Sequence, residues 1–146
     1  MPTAFAHHVP AGIAALQPVA LMDGDCAVCT FGARMIHRLD RTGTIRICPV
    51  QTAPGAAALR HYGLDPDDPE TWLFVADGRA WQGVDAMAEI GRRTGRWGRA
   101  LVLLMALPRP LRDRLYRGLA RNRYRLFGRA DMCALPDPGF ARRLVR

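Results

Sequence analysis

The period of the hydrophobic positions changes several times along the chain, and each change marks an element. Pro18-Val-Ala-Leu-Met22 is a continuous apolar run closed by Asp23-Gly-Asp25, which predicts a strand over 19–22 and a tight turn. From Cys26 to Asp40, residues Phe31, Met35, Ile36 and Leu39 fall on one helical stripe. Asp25 is placed to N-cap that helix, and Gly43 lies past its end. Residues 44–48 alternate around Ile45 and Ile47, a second strand stopped by Pro49. A short helix over about 54–61 ends at Gly63, and residues 64–69 carry turn chemistry. Two extended runs, 71–76 and 79–82, flank Asp77-Gly78, a strong hairpin signal. A helix over about 84–94 follows, closed by Gly95.

The resulting order is β-α-β-α-β-β-α. Two parallel strands with crossover helices, then a hairpin and a helix, is the thioredoxin-like order, an α/β class reached without reference to cysteine. What remains is helical. The run 97–107 is strongly apolar and is expected to be buried; Pro108 and Pro110 break it and start another helix. There Leu111, Leu115, Leu119 and Leu126 lie near one face, and Gly128 ends it. The tail over 131–138 reads as irregular, with a last helical turn within 140–145. The expected organisation is a flexible lead (1–17), a thioredoxin-like core (18–96) and an Arg-rich helical extension packed on it (97–146), one domain overall.

Composition narrows the class. Nearly half of the 146 residues are apolar, so the chain is expected to be globular. The segment 1–8 has neither a basic n-region nor a long apolar core, and the longest apolar run, 100–107, is far short of the ~20 residues that span a bilayer. A soluble, cytoplasmic protein is expected. The net charge of +8 comes from arginine alone, since the chain has no lysine. Arginines crowd residues 92–129, so a solvated basic face on the capping helices is the first expectation. Docking to an acidic partner or peripherally to an anionic membrane is the second. Tyr116, Tyr124 and Phe127 interleave the arginines as stacking aromatics would, but no nucleic-acid motif is present and nucleic acid is the least favoured partner.

The chemistry concentrates at Cys26-Ala-Val-Cys29, directly after the first strand and turn. Helix N-terminal amides stabilise a thiolate, and two residues between the thiols let one attack and the other resolve a mixed disulfide. Cys26, nearer the helix start and expected to be the more exposed, is the candidate nucleophile; Cys29, one turn in, is the candidate resolving thiol. As carboxylates, Asp23 and Asp25 oppose thiolate formation; alternatively, a buried Asp23 accepts the Cys29 proton. Cys48, ending the second strand, is either a buried apolar residue or an accessory thiol near Cys26. Cys133, in a Pro-rich tail able to fold back to the same edge, is a structural or a third redox thiol. A zinc site would need Cys48 and Cys133 to complete the tetrahedron, and neither has a second ligand at the usual spacing. The scattered His7, His8, His37 and His61 receive no role.

Asp23-Gly24-Asp25-Cys26-Ala-Val-Cys29 resembles the Asp-x-x-Cys-x-x-Cys signature of the DCC-type thiol-disulfide oxidoreductases. Pro49-Val-Gln-Thr52, Gly83-Val-Asp-Ala86, the run 116–128 and Cys133-Ala-Leu-Pro136 are similar to other segments of that family. The resemblance covers about 19–145. It implies a thioredoxin-like fold and protein-disulfide oxidoreductase activity, with Asp23, Cys26 and Cys29 as motif residues, acting on a protein or low-molecular-weight thiol or disulfide. It calls for no metal and no bound organic cofactor. One departure from thioredoxin itself is Pro69, which stands two residues ahead of Thr71 rather than just before the third strand. The competing expectations are a redox-inactive module with a structural or zinc-binding dithiol, and an Arg-rich protein that binds nucleic acid or membrane.

Overall fold

The computed structural model describes residues 9–67, 72–95 and 98–146, the backbone alone at 98, 101, 102 and 104. Its strands are β1 (Val19–Met22), β2 (Arg46–Pro49), β3 (Leu73–Ala76) and β4 (Arg79–Gln82). They form one sheet in the order β2-β1-β3-β4, with β1 parallel to β2 and antiparallel to β3. The helices are α1 (Ala11–Ala14), α2 (Ala27–Leu39), α3 (Ala53–His61), α4 (Gly83–Arg93), α5 (Arg109–Phe127) and α6 (Pro138–Ala141). The fold is thioredoxin-like, as expected from the order of elements.

Period-two alternation sends each central strand's side chains to two cores. Val19 and Leu21 of β1 join Leu73 and Val75 of β3 on the face covered by α1 and α3. Ala20, Met22, Phe74 and Ala76 point the other way, into the core that holds Cys26 and Cys29. That core is closed by α2 and α4, and α5 packs across both helices. At the hairpin, Asp77 and Gly78 have φ of 51° and 74°, the left-handed pair that a tight Asp-Gly turn requires.

Several expectations change. Residues 9–17, assigned to a flexible lead, include α1, and Ile13 is fully buried. The helix N-cap is Cys26, not Asp25: its Sγ accepts the Cys29 N–H at 3.4 Å. The apolar run expected as a buried helix is a 3-10 helix over Gly98–Ala106 with Leu103 73% exposed; Trp97 lies outside the described residues, as do Thr71 and Pro69. The leucine face of α5 points outward. Leu111, Leu115, Leu119 and Leu126 are exposed, and Arg112, Ala120 and Arg123 turn inward, where Arg112 meets Met105 and Arg123 meets Asp23. The arginine stretch is therefore not a uniform solvated face. The last residues extend the sheet edge: Ile47 N–H donates to Arg143 O and Val145 N–H to Ile47 O.

Candidate active site

The turn after β1 is built by Asp23. Its Oδ1 accepts the Asp25 N–H at 3.0 Å, closing the loop that delivers Cys26 to the start of α2. The exposed Gln51, just past β2, donates from Nε2 to the same Oδ1 at 2.7 Å and accepts the Gly24 N–H on its Oε1 at 2.9 Å. A side chain at Gly24 would crowd Gln51 and Pro49, so glycine lets the two loops touch. Asp25 itself is exposed, 3.5 Å from Gln51 Nε2.

The other Asp23 oxygen is held from 100 residues away. Arg123 Nη2 donates to Oδ2 at 3.2 Å, and the Tyr124 hydroxyl donates to it through a short hydrogen bond. Both ionic side chains are buried, 1% exposed for Asp23 and 6% for Arg123. Burial pushes the Asp23 carboxyl up, but the bonds from Tyr124, the Asp25 amide, Gln51 and Arg123 outweigh it and hold its pKa below the ordinary carboxylate value. A carboxylate so stabilised is a weak base, which argues against Asp23 as the proton acceptor for Cys29. Burial and the hydrogen bond to Asp23 raise the Tyr124 phenol to about 12, so it stays a donor.

Both motif cysteines are free thiols and both are buried: Cys26 is 0% exposed and Cys29 3%. The expectation that Cys26 is the more exposed is overturned by the segment after α5. Gly128, at φ 76°, turns the chain back over the loop. Arg129 then pairs with Cys26 as an antiparallel bridge, Ala130 N–H donates to Asp25 O at 3.0 Å, and Met132 N–H to Gly24 O at 2.9 Å. The fully buried Met132 anchors this strap in the core, and Arg129 lies over the Tyr124 ring at 4.7 Å.

Cys29 sits one turn into α2, where Trp72 Nε1–H donates to its Sγ at 3.3 Å. Burial, with contributions from Cys26 and the Asp23 charge, pushes its pKa up to about 12 against the lowering effect of Trp72. Trp72 immediately precedes β3, and the Tyr116 hydroxyl accepts its backbone N–H at 3.0 Å. A side chain at Gly32 would collide with the indole ring, so this glycine lets Trp72 lie against the cysteine helix. The cis peptide bond of the described residues is Gln17–Pro18, at the other end of β1 from the thiols.

Of the remaining cysteines, Cys48 is not brought to the pair. It is fully buried in the core on the opposite face of the sheet, its Sγ 3.4 Å from Thr52 Oγ1, because its register opposite Leu21 sets its direction. The zinc arrangement that needed Cys48 is therefore not assembled. Among the described residues no group of three or more His, Cys, Asp or Glu side chains is placed to hold a metal ion. Cys133 does return to this edge, exposed, directly after Met132 on the strap. Sequence reasoning missed Gln51, Trp72, Arg123 and Tyr124 as parts of the site. Gly32 was the one local trace of Trp72.

Comparison with known proteins agrees with this geometry. No solved structure matches the chain. The uncharacterized protein YuxK of Bacillus subtilis (strain 168) is 34% identical over 128 residues, covering 87% of this chain and 93% of that protein. A chloroplastic DCC family protein of Arabidopsis thaliana is 32% identical over 120 residues, 82% of this chain and 70% of that one. The family model of DCC1-like thiol-disulfide oxidoreductases matches residues 20–129, from β1 through Arg123, Tyr124 and the start of the strap. With the Cys-x-x-Cys pair at the head of α2 and the match running the length of the site, the chain belongs to the DCC1-like thiol-disulfide oxidoreductase family.

Proposed function

We propose that the protein is a dithiol–disulfide oxidoreductase in which Cys26 attacks and Cys29 resolves. The observation that carries this reading is the Cys26 Sγ at the N-cap of α2, accepting the Cys29 N–H, with the second thiol one turn away. An amide donor and the positive end of the helix are both directed at the Cys26 sulfur. Cys29, its pKa pushed to about 12, stays protonated until it is needed.

The Cys26 thiolate forms a bond to one sulfur of a substrate disulfide as the substrate S–S bond breaks and one thiolate leaves. Cys29 then loses its proton to that leaving thiolate and attacks the Cys26 sulfur. The second substrate thiol departs, and two electrons have passed from the protein pair to the substrate. Asp23 is a positioning residue: it closes the turn that presents Cys26, and its charge adds to the burial that keeps Cys29 neutral.

The test is peptide-mapped differential alkylation after equilibration in dithiothreitol and glutathione redox buffers. A reversible Cys26–Cys29 disulfide with a midpoint between about −300 and −120 mV is expected, the span of working dithiols. Cysteines that stay reduced throughout, or masked until a chelator is added, would replace this reading with the structural or zinc-binding one.

A further inference from the structure

Both reacting sulfurs are buried, and the strap over Arg129 and Ala130 closes the approach to Cys26 from the loop side. A second approach comes from below. A cavity of about 490 Å³ runs along α2, and Cys29 and Trp72 stand in its wall. Gly32, Met35 and Leu39 continue that wall down the helix, while Met87 of α4 and Ala120 of α5 face them. Residues 28–39 of α2 line it over about 16 Å.

The chemistry of the wall selects the occupant. Among the described residues the lining side chains are almost all apolar, and the ionic one, Arg123, is already neutralised by Asp23. Arg123 Nε is buried without a hydrogen-bond partner, so this wall is not completed by the protein's own groups. A charged or strongly hydrated molecule would lose its water here for at most one donor, the Arg123 Nε–H. A hydrocarbon body would gain by burial, with its reactive end at Cys29, whose thiol touches that of Cys26.

We propose that this cavity holds the apolar body of a small, uncharged disulfide, and that the dithiol acts on such hydrophobic low-molecular-weight substrates in preference to glutathione disulfide. The proposal rests on the oxidoreductase reading above and specifies its substrate class. The exchange is the one already written: the substrate S–S bond is reduced to two alkanethiols as the Cys26–Cys29 bond forms, with no further reductant.

The experiment is a stopped-flow series on the reduced protein with diethyl, dipropyl and dibutyl disulfides and glutathione disulfide. Each rate constant is divided by that of the same disulfide with free N-acetylcysteine. The normalised rate is expected to rise roughly tenfold for every two methylene groups buried in the cavity, with glutathione disulfide at the bottom of the series. Met87→Trp, which fills the middle of the cavity, is expected to compress the dibutyl-to-diethyl ratio at least fivefold. A flat series, or glutathione disulfide at the top, overturns the cavity proposal while leaving the oxidoreductase reading intact. A reduced protein that none of these disulfides oxidises removes the oxidoreductase reading, and this proposal with it.

Discussion

The molecule contains two buried aspartate–arginine pairs, each joining the N-terminal half to a residue about a hundred positions later. Asp23 meets Arg123 at 3.2 Å beside the thiols, and Asp40 meets Arg143 at 2.7 Å past the end of α2. In the second pair every guanidinium nitrogen is used: Nε donates to His37 Nδ1, Nη1 to Asp40 Oδ2 and Ile45 O, and Nη2 to Asp40 O. Asp40 is met in addition by the Thr42 hydroxyl and the Ile45 N–H. This pair ties the C-terminal tail to the sheet edge. The first pair is less complete, with Arg123 Nε unmatched, and its carboxylate acts on Cys29. A fully satisfied buried pair is a clasp; an incompletely satisfied one next to a reactive group marks where chemistry takes precedence over stability.

The contrast can be broken in stability first. Arg143→Met leaves the Asp40 carboxylate buried without its cation and is expected to cost about 3–5 kcal/mol of unfolding free energy, read from urea denaturation. The redox potential should stay where it was. A potential that moves with Arg143→Met would mean that the tail contributes to the thiol site.

Acid weakens both pairs in the same direction. Hydrogen bonds and the adjacent arginines outweigh burial and hold both carboxyls below their ordinary value, so each binds a proton less readily in the folded than in the unfolded chain. Their stabilisation is complete above the unfolded pKa of about 4 and is lost as pH falls through the lower folded values. Unfolding free energy should therefore drop on going from pH 5 to pH 3, and Asp40→Asn should flatten that slope. An unchanged slope would show that this carboxyl is not held in its charged form.

The smallest effect concerns Trp72. Burial raises Cys29 and the indole N–H opposes it, so Trp72→Phe is expected to cost about 1 kcal/mol of thiolate stabilisation and to raise the Cys29 pKa further. Alkylation of Cys29 against pH would show the shift; an unmoved profile would mean that the indole only packs there.

The legible parts of this chain were those written in consecutive residues. The run before Asp23, the Gly and Asp residues of the turn and the Cys-x-x-Cys spacing placed β1, the loop and α2, and Asp77-Gly78 placed the hairpin within a residue or two. What could not be read was the partner set from the far end of the chain. Nothing local distinguishes Arg123 from Arg121 or Arg125, yet helical phase sends only Arg123 inward to Asp23. That the tail could fold back to this edge was legible, but its anchor was not, because Met132 gains its place through a backbone bond to Gly24 that carries no sequence pattern. The leucine stripe of α5 misled for the opposite reason. Its spacing is that of a buried face, but the side of the helix that is buried carries Arg112, Ala120 and Arg123 instead.

The central claim is that α5 completes the redox site through Asp23. The most direct measurement is the reduction potential of the Cys26–Cys29 pair in Asp23→Asn, with Asp40→Asn as its twin. Removing the Asp23 charge leaves Arg123 uncompensated beside the pair, which favours the anionic reduced form, so the potential should rise by roughly 30 mV, a tenfold change in equilibrium constant. Asp40→Asn should lower stability and leave the potential unchanged. Equal potentials in both variants and the wild type would contradict the account, reducing Asp23 and Arg123 to a second clasp.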